Sequence, residues 1–399
     1  MRKTGRHFLQ IPGPSNLPDQ VLRAIDMPII DHRGPDFAPL MERVLTGMRN
    51  LCKCAGPVIV YPASGTGAWE AALVNTRSAG DHVLMYETGQ FALQWKNLAE
   101  KMGLEPEFLQ GDWRTGASAA AIEARLRDDT AHTIKAVCVV HNETSTGCVT
   151  DIAAIRRAID AAGHPALLMV DTISSLGCMD YGHDEWGVDV TVGASQKGLM
   201  MPTGISFNAV SEKALAQSKT ATMPKAYWSW EAMINANRGG YFPYTPATNL
   251  FYGLVAALDL IDEEGLDNVF ARHARHAEAT RRAVRAWGLE IVCRDSAAYS
   301  ASITAVYMPE GHSADRFRRT IFDTFNMSLG AGLSRLADKA FRIGHVGDFN
   351  DLMLLGTLGG VEMGLEMAGV PHSKGGVQVA MDYLAAEAAS AHPLRDAAE

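Results

Sequence analysis

The chain has 399 residues, 47% of them apolar and 20% charged, and a net charge of −9 with histidines neutral. That length and balance suit two folded domains and exclude disordered and fibrous classes; the negative excess excludes broad attraction to nucleic acid or anionic membrane, so an anionic substrate must meet locally placed cations. No apolar run is long enough for a signal-peptide core or a membrane span, which makes the cytoplasm the expected compartment, and six scattered cysteines suit reducing conditions better than a disulfide framework.

From the amino end, strand-like and helix-like runs alternate. Cys52 and Cys54 form C-x-C, not the C-x-x-C of common zinc and redox sites, and no metal is expected there. "PVIVYPAS" then leads into "GTGAWEAALVNT", "DHVLMYET" into "GQFALQWKNLAEKMG", "IKAVCVVHN" is followed by "DIAAIRRAIDAAG", and "PALLMVDTISSLG" by "VDVTVGAS". Such a succession predicts a mostly parallel sheet covered on both faces by helices, with ligands beyond the carboxyl ends of the strands. That rule picks out Ser64 to Gly67, Glu87 to Phe91, His141 to Thr146, Asp171, Gln196 and Lys197. After the Tyr-rich "GGYFPYTPATNLFYG" comes a long helical pattern in which "ARHARHAEATRR" reads as a charged solvent face, His273 and His276 included, and not as a metal site. "ASITAVYMPEG" and "KAFRIGHVGD" read as strands of a smaller α+β domain, closed by "NDLMLLGTLGGVEMGLEMAG" and an Ala-rich tail expected to fray.

Three strand ends carry chemistry. In "YPASGTGAWEAAL" a strand turns into a helix whose free N–H groups, at Ser64, Gly65 and Thr66, form a ready phosphate site; an ordinary Gly-rich turn is the plain alternative. The string lacks the lysine of a Walker A loop and the spacing of a dinucleotide fingerprint. Asp171 closes a strongly apolar strand, where a carboxylate is costly unless it caps the next segment or meets a cation. Lys197, in "VGASQKGLMMPTG", sits among glycines and apolar residues at the end of a buried strand, and a buried ammonium must be paired or lose its proton. A phosphate cradle, a strand-end acid and a desolvated lysine are the parts that hold pyridoxal 5'-phosphate: phosphate anchor, pyridinium partner and Schiff-base amine.

In the same order along the chain, "SGTGAWE", "HNETSTG", "VDTISSLG", "GASQKGL" and "FRIGHVGD" resemble the class V branch of the fold-type I pyridoxal-phosphate aminotransferases. Within that branch the chain is similar to the glyoxylate aminotransferases that use serine or aspartate as donor, from "PGPSNLP" through the final helices. The resemblance implies an α/β, fold-type I transferase. Residues 1–20 would lie at the active-site entrance, residues 21–265 would form a large cofactor-binding domain with a mostly parallel sheet flanked by helices, and residues 266–399 a smaller α+β domain.

It further implies a role for each matching residue. Lys197 would carry the cofactor and the proton, Asp171 would partner the ring nitrogen, Ser64, Gly65, Thr66 and Gln196 would surround the phosphate, and Thr144 would lie near the ring hydroxyl. Phe91 would stack on the ring where many relatives have tryptophan. Arg342 would clamp the substrate carboxylate with its planar fork. Thr245, with Tyr241 or Tyr244, would reach the phosphate of the neighbouring subunit in a homodimer with shared sites. Asn16, His32 and Arg33 would line the entrance, Arg33 meeting a second carboxylate if the donor is aspartate. The implied partners are small amino acids and 2-oxo acids, and the implied reaction moves the amino group of L-aspartate or L-serine to glyoxylate, giving glycine.

Other readings share the fold. Alanine–glyoxylate transamination differs only in donor. Cysteine desulfurase needs a nucleophilic cysteine on a mobile loop of the second half. The only candidate is Cys293, in "LEIVCRD", which reads as a strand. A noncatalytic binding protein on the same scaffold would have lost Lys197, Asp171 or Arg342, and all three are present.

Overall fold

The computed structural model describes residues 4–391, so the end of the Ala-rich tail lies outside the described residues. A seven-stranded sheet runs in the order Val58–Tyr61, Ser206–Val210, Val190–Ala194, Leu167–Asp171, Ile134–Val140, His82–Tyr86 and Glu105–Leu109. Every pairing is parallel except the two made by Ser206–Val210, which runs against both neighbours. Helices cover both faces, and the strands Val58–Tyr61, Leu167–Asp171 and Val190–Ala194 are buried at every position. Burial on both faces explains why they read as continuous apolar runs with no alternation.

Two strands go beyond the sequence reading. Glu105–Leu109 holds Pro106 and is only half-buried, as suits the edge of a sheet where a missing N–H is harmless. Ser206–Val210 includes Asn208, whose amide is satisfied inside the core by the carbonyls of Ala68 and Thr191, so its polarity disguises a central strand.

A four-stranded sheet, in the order Phe8–Gln10, Met327–Ala331, Ala340–Gly344 and Ile303–Tyr307, lies under the helices Leu266–Ala286, Ala314–Phe325 and Asp351–Met367, and Gly376–Ala391 packs on the first and last of these. The amino-terminal strand pairs parallel with Met327–Ala331, so the chain begins on the smaller sheet and then crosses to the larger one. The helix Thr248–Glu264 meets Leu266–Ala286 at Gly265. Among the described residues no helix is long and apolar enough to cross a membrane.

Two expectations are corrected here. His273 and His276 do not face solvent; both are buried. One ring nitrogen of His273 bonds the Val269 carbonyl and the other accepts the Gly347 N–H, while His276 meets Asp351 at 2.8 Å. Burial lowers their pKa values to about 3 and about 4, so both are neutral core side chains; His273 has both ring nitrogens matched, whereas Nδ1 of His276 is buried without a partner among the described residues. The flanking arginines, which gave the segment its charged look, are occupied by Glu264, Asp351 and Glu278. Likewise "LEIVCRD" forms only an isolated bridge, Ile291 to Val306, after which the chain turns at Asp295.

Candidate active site

The strand carboxyl ends open into a cavity of about 230 Å³ lined by Ser64, Gly65, Thr66, Trp69, Phe91, Asn142, Thr144, Asp171, Gln196 and Lys197, among others. Each arrives by a local rule. The strand Val58–Tyr61 turns at Ser64 into the helix Gly65–Thr76, whose amino terminus is aimed at the cavity. Ser118, Ser211, Ser229 and Ser313 each accept a hydrogen bond from their own helix, as N-cap serines do; Ser64, also an N-cap, makes no such bond. Its hydroxyl is therefore left over beside free amide donors, which suits a tetrahedral anion. A side chain at Gly65 would place its Cβ 2.2 Å from Ile173 Cδ1, so with glycine there this turn approaches the Asp171 strand end without displacing the Ile173 side chain.

Asp171 is 3% exposed. Its carboxylate accepts the indole N–H of Trp69 at 3.0 Å and the Ile173 N–H at 2.7 Å. Burial outweighs these donors and raises its pKa to about 7, with nearby Glu143 adding repulsion. The expectation that Asp171 caps the next segment is met by one oxygen, through Ile173; the other is turned toward Trp69 and the cavity.

Lys197 is 8% exposed. Its pKa falls to about 8, first through burial and then through the positive charge of Arg342. The ammonium donates to the Pro12 carbonyl, and Ser15 ties the loop down through its own N–H to Gln196 and its hydroxyl to the Lys197 carbonyl. Gly13, at φ +104°, permits this: a Cβ there would sit 2.3 Å from Lys197 Cδ. The amino-terminal segment thus forms one wall of the cavity.

Arg342, on the strand Ala340–Gly344, reaches across to the turn that follows the large-sheet strand Ile134–Val140, donating through Nη1 to the Thr144 carbonyl at 2.9 Å and through Nε to the Ala331 carbonyl at 2.7 Å. Among the described residues its Nη2 has no protein acceptor. Burial lowers its pKa to about 10, which leaves it cationic. The Thr144 hydroxyl pairs with that of Ser174.

Several side chains position the site in roles the sequence did not assign, two of them, Asn142 and Glu143, within the segment His141 to Thr146 that the strand-end rule picked out. Glu143 is fully buried and accepts the N–H groups of Phe91 and Ala92, fixing the start of the helix Gln90–Lys101 and with it the Phe91 ring at the cavity. Trp69 orients Asp171 and stacks on Trp95 at 5.8 Å. Asn142 donates to Ser174 and Ser302. Its Oδ1, like Oε1 of Gln196, is buried without a partner among the described residues. The "HNETSTG" and "SGTGAWE" strings contained these residues, but their partners lie far away in the chain.

Other candidates are not brought into the cavity. Asn16 donates to the Leu9 carbonyl. Arg33 is exposed in the loop after Asp31. Tyr241 and Thr245 are exposed, and Tyr244 stacks on Tyr227 at 4.2 Å. Cys293 is buried beside Cys148, with its thiol directed at the carbonyls of Asp295 and Ala298, and is not presented on an open loop.

A carboxyl and an amine that burial brings to pKa values of about 7 and about 8, a spare hydroxyl at a helix terminus and two orphaned amide oxygens together fit a flat ring whose nitrogen takes a proton, an aldehyde and a phosphate. The comparisons agree. The family profile "Aminotransferase class-V" matches residues 7–332. The chain is 46% identical over 390 residues to "Serine--glyoxylate aminotransferase" of Methylorubrum extorquens, covering 96% of this chain and 97% of that protein. It is 41% identical to "L-aspartate--glyoxylate aminotransferase" of Paracoccus denitrificans, covering 95% and 96%. The crystal structure of pyridoxamine-pyruvate aminotransferase from Mesorhizobium loti superposes with a TM-score of 0.90 at 27% identity, covering 95% of this chain and 97% of that one.

Proposed function

Because the chain belongs to the class V aminotransferase family, we propose that it is a glyoxylate aminotransferase, taking its amino group from L-serine in preference to L-aspartate. Similarity to serine–glyoxylate and aspartate–glyoxylate aminotransferases over nearly the whole chain supports the acceptor. The donor preference is carried by the higher identity to serine–glyoxylate aminotransferases, 44–46%, than to the aspartate–glyoxylate enzyme, 41%, and by Arg33, the cation offered for a second carboxylate, being out in the solvent. Arg342 serves the carboxylate that every substrate has, so a second carboxylate on the donor would enter without a partner. A hydroxyl meets no such penalty.

Pyridoxal 5'-phosphate, on which this family depends, supplies an aldehyde that condenses with amines and a protonated ring that takes up the electrons of a broken Cα–H bond. Ser64, Gly65, Thr66 and Gln196 are the residues to hold its phosphate end, Asp171 its ring nitrogen, Phe91 its face and Thr144 its hydroxyl edge. Trp69 keeps Asp171 aimed, and Glu143 keeps Phe91 in place. Arg342 orients the substrate through Nη2. Lys197 Nζ, once released from Pro12, removes the proton at Cα and returns it; with a pKa near 8 it exchanges protons at little cost near neutral pH. Serine becomes a 3-hydroxy-2-oxo acid in the first half-reaction, and glyoxylate becomes glycine in the second.

Tyr241 and Thr245, exposed and outside the chain's own cavity, support a homodimer in which each subunit completes the other's phosphate site. Six free, buried cysteines support a cytoplasmic home. Steady-state rates with glyoxylate and either L-serine, L-aspartate or L-alanine test the reading. L-serine should give the largest kcat/KM, at least tenfold above L-aspartate, as expected of one unpaired carboxylate worth about 1.4 kcal/mol or more. Equal or better turnover of L-aspartate would refute the donor assignment, and no glycine from any donor would refute the acceptor.

A further inference from the structure

At the opposite, amino-terminal edge of the large sheet, the loop before Val58–Tyr61 lies against the loop before Val190–Ala194, joined by the His183 N–H to the Cys52 carbonyl and the Asp184 N–H to the Lys53 carbonyl. This contact brings together Cys54, His183 and Asp184, whose ligand atoms all lie within 4.8 Å of one another. Cys54 and Asp184 are 130 residues apart in the chain, and the C-x-C spacing gives no hint of them as a set. We propose that these three side chains form a binding site for a divalent ion of the zinc type, with a fourth position open to water.

The chemistry of each donor argues for it. His183 is wholly buried. Its Nδ1 is engaged by the Thr191 hydroxyl at 2.7 Å, and that hydroxyl is in turn paired with Tyr181 at 2.6 Å. This is the outer-shell arrangement that fixes the tautomer of a metal-binding imidazole and leaves the lone pair of the other nitrogen free. That nitrogen, Nε2, is buried without a partner among the described residues. A water could satisfy Nε2 alone, but it would give no reason for a thiol and a carboxylate to converge on the same point. Asp184 accepts the Ala55 N–H with one oxygen at 2.7 Å and has the other available. Nitrogen, sulfur and carboxylate oxygen in one set suit zinc, cobalt or nickel and disfavour calcium and magnesium, which prefer oxygen alone.

Metal bonds of about 2.0–2.3 Å require ligand atoms roughly 3.5 Å apart in a tetrahedron. The exposed Asp184 side chain has the freedom to close that gap. On binding, the Cys54 thiol gives its proton to the buffer and a sulfur–metal bond forms; no oxidant or reductant is needed. The site lies at the edge of the sheet away from Lys197, so its role is to staple two loops, not to act on substrate.

Cobalt(II) added to the purified holoenzyme tests this, read by metal content after gel filtration and by ligand-field absorption at the red end of the visible spectrum, where intense bands mark tetrahedral coordination. The expected result is one cobalt per chain with intense red-end bands. Cys54→Ala should lose both, and Asp184→Asn should weaken binding at least tenfold. Neither variant touches the transamination machinery, so each should retain turnover, which also shows that it is folded. Absence of the bands in the unaltered protein, or bands that persist in Cys54→Ala, would overturn the proposal.

Discussion

Lys197 and Asp171 are both pressed toward their neutral forms by burial, to pKa values of about 8 and about 7, and that shared pressure makes them partners for a cofactor of opposite character. A free amine is needed to capture an aldehyde, so reconstitution of cofactor-free protein with pyridoxal 5'-phosphate should accelerate as pH rises through about 8. Arg342 contributes to the depression, and its removal must let the lysine pKa rise. Stopped-flow capture by Arg342→Gln should accordingly show a midpoint at higher pH; an unchanged or lower midpoint would show that the two charges do not communicate. At this scale the sequence was informative wherever a polar residue ended an apolar strand, as with Asp171 and Lys197. It was silent on Trp69 and, though it picked out the segment holding Asn142 and Glu143, on what those two do, because the meaning of all three lies in contacts made 50 to 160 residues away.

Helices and strands were legible in proportion to how uniformly they are buried. The parallel strands stand out as apolar runs, while Glu105–Leu109 was hidden by an edge proline, Ser206–Val210 by a buried asparagine, and the His273 face by charges that the fold pairs off. The helix Gln90–Lys101 shows how such elements serve the site, since its first turn hangs on Glu143 from another segment. Glu143→Ala would strand the N–H groups of Phe91, Ala92 and Ser145. At about 1–3 kcal/mol for each abandoned buried group, and less than additively, the expected loss is roughly 2–4 kcal/mol in urea unfolding, with weaker cofactor binding as Phe91 loosens. Glu143→Gln, which keeps one acceptor, should recover part of both. A change below about 0.5 kcal/mol would mean that the helix start is held by something else.

The whole molecule draws its site from both sheets: Phe8–Gln10 anchors the chain on the smaller sheet, Pro12 to Ser15 cross to Lys197, and Arg342 reaches back to Thr144. The sequence order of motifs announced this architecture only through likeness to a family; nothing in periodicity says that the first strand pairs with Met327–Ala331. The proposed sharing between subunits has a direct consequence for mixed dimers of Lys197→Ala and Thr245→Glu chains. If Thr245 serves the partner's phosphate, such a dimer keeps one intact site and regains about half the activity of an unaltered dimer, whereas a threonine that serves its own chain would leave the mixture inactive. The proposed chemistry requires one bond between the cofactor aldehyde and a single amine, that of Lys197. Borohydride reduction of the holoenzyme followed by peptide mass mapping should find the pyridoxyl group on Lys197, and finding it on another residue, or on none, would contradict the account.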